Sequence, residues 1–201
     1  KDRNLNDIVK VVSGSNTLTL KFVAKVYGKI IRAGIYKADS IKIAEASKLI
    51  ENTQRDVNIG LMNEFATILN TLDINTSKVL EAAKTKWNFL DFKPGLVGGH
   101  CIGVDSYYLI NKSEQQRITP KIVKAAREVN ENMGDYIGKS FLKQLPINTG
   151  SKNKVLILGY TFKENCSDIR NTKVYDIANY LIKHNMIVSI YDPWLTKENR
   201  E

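Results

Sequence analysis

The chain has 201 residues, 43% hydrophobic and 25% charged, with 30 Lys and Arg against 21 Asp and Glu for a formal charge of +9. Enough apolar surface is available to offset the entropy of ordering, which excludes a disordered chain, and the apolar runs fall far short of the ~20 residues that span a bilayer. Two cysteines 65 residues apart make neither a disulfide framework nor a zinc cluster, and the polar amino end carries no signal-peptide pattern. The cysteine usage fits a reducing cytoplasm, and the expectation is a chain without a membrane span.

The elements begin with a basic segment. Residues 1–37 hold 8 of the basic and 2 of the acidic groups, so most of the excess charge sits there. Lys10, Lys21, Lys25, Lys29, Arg32 and Lys37 are spread out without interleaved aromatics, so they read as a solvated face and not as a nucleic-acid site. Residues 8–14 predict a strand and 17–31 a helix with Val23, Val26, Tyr27 and Ile30 on one side. Residues 33–37 predict a second strand. These are too few to cover both faces of a parallel sheet. A long helix follows from an Asp39 or Ser40 cap to about Leu72, with Leu61, Phe65, Ile68 and Leu72 as its apolar stripe. A helix about 50 Å long bridges domains or pairs with a partner subunit.

Further helices are predicted at 76–84, at 101–112, and from Thr119-Pro120, with Thr119 as cap and Pro120 at the first helical position. The last has Ile122, Val123, Ala126, Val129, Met133 and Ile137 on one side. Pro146 to Lys152 reads as a linker. A buried parallel strand at 154–159, a helix at 172–184 carrying Val174, Ile177, Ala178 and Leu181, and a strand at 187–191 then form one βαβ unit. Both ends of the chain read as cut.

Chemistry concentrates in Gly98-Gly99-His100-Cys101-Ile102-Gly103-Val104-Asp105. The glycines allow a close backbone approach to a ligand, and Cys101 falls at a helix start beside unpaired N–H groups. Asp105 shares its face four residues on. A lone cysteine is also, as a rule, a small buried hydrophobe. His100 reads as a local hydrogen-bonder, and Cys166 and His184 as structural. Lys48 and Asn52 stand one turn apart on the long helix. That spacing suits oxyanion stabilisation, though on the residues alone a solvated polar face is the commoner reading. Lys163 and Arg170 leave a strand's carboxyl end, where open α/β sheets bind ligands. No GxGxxG is present.

Three segments, EASKLIENTQRDVNIGLMNE (45–64), TKWNFLDFKPGLVGGHCIGVDSYYL (85–109) and LGYTFKENCSDIRNTKVYDI (158–177), resemble the UDP-glucose/GDP-mannose dehydrogenase family in its bacterial branch acting on UDP-N-acetylhexosamines. The resemblance implies an α/β chain. Residues 1–38 would be the end of an NAD-binding Rossmann domain, 39–145 an all-α central dimerisation domain, and 146–201 the start of a Rossmann-like UDP-sugar domain. It implies a homodimer that oxidises the sugar's C6 alcohol to a carboxylate with NAD as cofactor. Cys101 would be the nucleophile, Lys48 and Asn52 would serve the oxyanion, and Asp105 would move protons. Phe89, Leu90, Phe92, Lys93, Gly98 and Lys163 would touch the sugar nucleotide, and Arg170 the cofactor. By this comparison most of the NAD domain is missing, so the chain alone is expected to be inactive. A non-catalytic interaction module built on the same helices is the alternative. Ser106 stands where the branch usually has Pro, which would loosen the helix start at Cys101. Lys93 stands where Arg is frequent, keeping the charge but losing a bidentate fork.

Overall fold

The computed structural model describes residues 4–146 and 153–195. The expected linker therefore lies, at 147–152, outside the described residues. The chain is a helix-rich α/β protein that divides into two compact units, Lys1–Glu51 and Asn52–Glu201.

In the first unit a turn at Leu5–Asp7 leads into β1 (Lys10–Val12), α1 (Thr17–Gly28) and β2 (Ile35–Lys37). Asn16 caps α1, its Oδ1 accepting the Thr19 N–H at 2.9 Å. The strands pair in parallel, Lys10 opposite Ile35 and Val12 opposite Lys37. Buried apolar residues are Val12, Ala24, Ile31 and Ala38. The expected helical face is mostly open: Val26 and Tyr27 are exposed, and Ile30 falls beyond the helix end. Two three-residue strands present too little surface to cover a three-turn helix.

The long helix is α2 (Ile41–Thr71), opened by Ser40, whose Oγ accepts the Ile43 N–H at 3.2 Å. Its apolar stripe does not reach a core. Leu61, Phe65, Ile68 and Leu72 are 41–60% exposed, whereas Asn52, Thr53, Asp56, Gly60, Met62 and Asn63 are buried. The second unit is thus organised on a face of α2 that is largely polar.

After α3 (Thr76–Ala83), α4 (Ile102–Gln115) and α5 (Lys121–Gln144) bond to that face. The start of α5 differs from expectation by one residue. Pro120 takes the cap position with ψ 78° and no side-chain cap forms. The buried face of α5 is also rotated from the apolar one, comprising Ala126, Arg127, Asn130, Met133, Gly134 and Gly138, while Ile122 is exposed. The reason is the polar face of α2, which Arg127 and Asn130 satisfy.

The βαβ unit is β3 (Lys154–Leu158), α6 (Val174–Lys183) and β4 (Ile187–Tyr191), with Lys154 opposite Ile187 and Leu158 opposite Tyr191 in parallel register. Ala178 and Leu181 of α6 are buried, as their spacing predicts. β3 itself is not buried on both faces: Leu156 and Leu158 remain exposed, because β3 and β4 form a two-stranded sheet with α6 as its covering helix. The sheet unit is held to the helices where Glu131 of α5 accepts from Lys173 at the start of α6.

Candidate active site

Cys101 occupies the cap position of α4 with φ −119° and ψ −69°, and its carbonyl accepts the N–H groups of Val104 and Asp105 at 3.1 and 2.8 Å. Its side chain does not cap the helix, and the residue is half-buried. The carboxylate of Asp105, one turn on, accepts from Asn52 Nδ2 at 2.5 Å. Asn52 is 1% exposed, so it aims a fixed donor at Asp105 from α2. Asn52 thus meets Asp105 across α2 and α4, and Cys101 precedes Asp105 by one turn at the start of α4. Lys48 belongs to the first unit. It is exposed, and its ammonium lies 3.1 Å from Glu51 Oε2.

The two glycines before Cys101 are approached by protein. A Cβ on Gly98 would stand 2.7 Å from the Asn171 carbonyl oxygen, and one on Gly99 2.8–3.0 Å from the Phe162 ring. Gly99 also has φ +82°, a conformation L side chains rarely adopt. Its N–H donates to the Arg170 carbonyl at 2.9 Å, and its carbonyl accepts from Asn171 Nδ2 at 3.0 Å. The turn leading into Cys101 is thereby pinned to the loop after β3. The close approach anticipated for a ligand is made here by Phe162 and Asn171.

His100 is not the local hydrogen-bonder expected. Its Nδ1 lies 3.7 Å from Asp168 Oδ2, a contact across the same two loops. Asp168 in turn receives Arg170, Nε at 2.9 and 3.0 Å and NH2 at 2.5 Å. These hydrogen bonds hold the Asp168 carboxyl down at about 2. They also raise the Arg170 guanidinium above its ordinary range, with Cys101 and Cys166 close enough to add to the effect. Lys163 and Arg170 are both exposed on this loop, Arg170 with NH1 on the edge away from Asp168.

The residues expected to touch a sugar nucleotide lie along the segment joining α3 to α4. Phe89 and Phe92 are half-buried and Leu90 is exposed. Lys93 lines a cavity of about 490 Å³ with Ala66, Leu80, Lys84, Asp91 and Pro94. A second cavity of about 340 Å³ has Gly98, Gly99, Tyr107, Arg127, Lys173 and Asp176 in its wall. Cys166 is half-buried, and His184 stacks on Tyr180 with its Nδ1–H on the Tyr180 carbonyl at 2.8 Å.

Beneath the contact of Asn52 with Asp105 lies a network that motif reading missed. Asp56, fully buried, accepts from Ser106 Oγ at 2.7 Å, Arg127 NH1 at 2.7 Å and Asn130 Nδ2 at 2.8 Å. Asn130 Oδ1 accepts from Asn63 Nδ2 at 2.8 Å, and Asn63 also exchanges two bonds with the backbone of Gly95. The guanidinium of Arg127 stacks on Tyr107, 5.3 Å from the ring centre. Burial works against its charge, but Asp56 and Glu131 outweigh that and raise its pKa. Ser106 therefore does not loosen the start of α4: its hydroxyl ties that turn to α2. The signal was available in the polar period of Asn52, Asp56, Gly60 and Asn63, one helical face of short side chains.

Comparison with known proteins bears on the fold and the family. Residues 42–132 match the central domain of the UDP-glucose/GDP-mannose dehydrogenase family and residues 156–201 its UDP binding domain. The chain is 52% identical over 98% of its length to a UDP-N-acetyl-D-glucosamine 6-dehydrogenase of Salmonella typhi, covering 47% of that protein. It is 51% identical over 96% of its length to Protein CapL of Staphylococcus aureus, covering 46%. Among solved structures, the UDP-N-acetyl-mannosamine dehydrogenase Cap5O from S. aureus superposes with a TM-score of 0.80 at 33% identity, over 95% of this chain and 45% of that one. The chain thus spans just under half the length of the relatives it matches.

Proposed function

We propose that this chain, which belongs to the UDP-glucose/GDP-mannose dehydrogenase family, is the thiol-bearing part of an NAD-dependent UDP-N-acetylhexosamine 6-dehydrogenase acting in the cytoplasm. The observation that supports the reading is the position of Cys101 at the start of α4, one turn before an Asp105 that buried Asn52 holds. In this reading 1–38 closes an NAD domain, 39–145 is the central domain and 146–201 opens the sugar-nucleotide domain.

Oxidising a primary alcohol to a carboxylate removes two hydrides, and NAD, when bound, accepts them. Between the two, Cys101 Sγ adds to the C6 aldehyde. A C–S bond forms, the carbonyl oxygen gains a proton, and the thiohemiacetal is held in place. Loss of the second hydride from C6, together with the proton of its hydroxyl, leaves a thioester on Cys101. Water then attacks C6, the C–S bond breaks, and the thiol and the carboxylate are released. In this reading Asp105 takes the protons given up by the thiol and the attacking water, and its bond from Asn52 supports a fixed orientation. The family resemblance assigns the oxyanion's cation to Lys48, which is exposed beside Glu51. The segment carrying Phe89, Leu90, Phe92, Lys93 and Gly98, together with Lys163, would hold the sugar nucleotide. The chain fits NAD only at its edge: Arg170 is exposed with NH1 directed away from Asp168, suited to a pyrophosphate oxygen.

The exposed stripe of Leu61, Phe65, Ile68 and Leu72 supports a homodimer through α2. It is flanked by a groove of about 520 Å³ lined by Ile68, Val129, Met133 and Tyr136. The same surface favours the alternative of a non-catalytic interaction module.

One experiment separates the two. The chain is joined to its family's amino-terminal NAD domain and given NAD with each UDP-N-acetylhexosamine, and NADH and uronic acid are measured. Turnover abolished by Cys101→Ser supports the dehydrogenase. Turnover surviving that substitution removes Cys101 as nucleophile, and none in the parent leaves the interaction module. The 201-residue chain by itself is expected to form no NADH.

A further inference from the structure

Two residues one turn apart on α2 meet two adjacent residues near the start of α4: Asn52 meets Asp105, and Asp56 meets Ser106. The two contacts differ in kind. The first is half-buried and ends on the carboxylate read above as the proton carrier. The second is fully buried, and Asp56 is anchored independently from α5 by Arg127 and Asn130.

The start of α4 needs such an anchor. The first turn of any helix has N–H groups without intrahelical partners and frays readily. This one begins at Cys101, whose side chain makes no cap bond. The segment before it is irregular from Phe92 to Gly99. That segment ends in the same network: Asn130 holds Asn63, and Asn63 accepts the Gly95 N–H at 2.9 Å and donates to the Gly95 carbonyl at 3.0 Å. The stretch from Gly95 to Ser106, with Cys101 in its middle, is therefore tied near both ends to one buried cluster around Asp56.

We infer that Asp56 is the positioning residue for Cys101 and Asp105, acting through Ser106 on the helix start and through Asn130 and Asn63 on the entering loop. The inference rests on the reading of Cys101 and Asp105 given above. Asp56 touches no reacting atom. Its carboxylate sets the register of α4 against α2, so that Asp105 meets Asn52 and Cys101 stands at the head of the helix. A merely stabilising ion pair would instead hold the three helices together without favouring this stretch.

The test uses the 201-residue chain and needs neither substrate nor NAD. Cys101 and Cys166 are alkylated with iodoacetamide over a pH series, and each is quantified on its own peptide, so Cys166 is the reference within every sample. Ser106→Ala and Asp56→Asn are compared with the parent, with far-UV circular dichroism confirming folding. The expected result is a rise in the Cys101-to-Cys166 rate ratio of about tenfold, from local opening of the α4 start. The pH profile of Cys101 changes and that of Cys166 does not. Ser106→Ala leaves the Asp56–Arg127 pair in place, so it carries the test should Asp56→Asn fail to fold. A folded Ser106→Ala chain with a ratio within about twofold of the parent, or with both cysteines accelerated alike, overturns the inference. Failure of the dehydrogenase reading would show separately, as turnover that survives Cys101→Ser.

Discussion

Asn52 Nδ2 and Asp105 Oδ2 lie 2.5 Å apart, joining the middle of α2 to the first turn of α4. The amide is almost wholly buried and the carboxylate half-buried, so the bond holds a polar group at the edge of solvent from the inside. Asn52→Ala removes the donor and leaves Asp105 with a desolvation cost no longer offset. The expected loss is about 1–3 kcal/mol. Urea denaturation checks it through a lower midpoint at unchanged slope. A midpoint equal to the parent's would show that the bond contributes nothing to folding.

Arg127 and Asp56 are the most enclosed ion pair among the described residues, their side chains 3% and 0% exposed. Removing one charge strands the other in a medium that solvates it poorly, so Arg127→Ala is expected to cost about 3–5 kcal/mol. Replacing both, as in Asp56→Leu with Arg127→Met, removes the stranded charge and should cost less than either single change. A double-mutant cycle by chemical denaturation measures this. Additive costs would place the stability in packing and not in the pair.

Asp168 predicts an acid-side effect. Its folded carboxyl titrates at about 2, below the model-peptide value of 3.8, because Arg170 hydrogen-bonds the charged form. A lowered carboxyl stabilises the folded state above pH 3.8, and the contribution is lost as pH falls from there to about 2. Carbon NMR of the Asp168 carboxyl should therefore show a midpoint near 2 in the parent. Arg170→Leu should move it up towards 3.8. A midpoint unmoved by Arg170→Leu would assign the shift to other groups.

Several elements were legible in the sequence from a local signal: Ser40 caps α2 with its side-chain oxygen, and Ala178 and Leu181 keep the period of a buried helical face, while the Asn16 and Asn75 caps of α1 and α3 went unread. Which face of α2 is buried was not legible from hydrophobicity. Leu61 and Phe65 stay exposed, while Asp56 and Asn63 are enclosed by Arg127 and Asn130. Polar residues reach a core only where partners from distant positions complete their hydrogen bonds, and those partners lie 67–74 residues away. That Cys101 and Asp105 stand one turn apart at a helix start was visible from their spacing. The role of Gly98 and Gly99 was not, since Phe162 and Asn171 reach them from another loop.

Gly99 gives the last prediction. Its φ of +82° strains any L residue, and a Cβ there would stand under 3.0 Å from two atoms of the Phe162 ring. Gly99→Ala is therefore expected to lose about 1–3 kcal/mol, with strain and steric conflict both contributing. The two causes separate in a second variant. Gly99→Ala with Phe162→Ala relieves the ring contact but leaves the backbone in its left-handed conformation. If sterics dominate, the double variant should be less destabilised, relative to Phe162→Ala alone, than the single variant is relative to the parent. Equal losses in the two backgrounds would assign the whole cost to the backbone. Thermal unfolding of the four chains provides the comparison. The rate of Cys101 alkylation in each shows whether the turn must keep its shape for the sulfur to keep its setting.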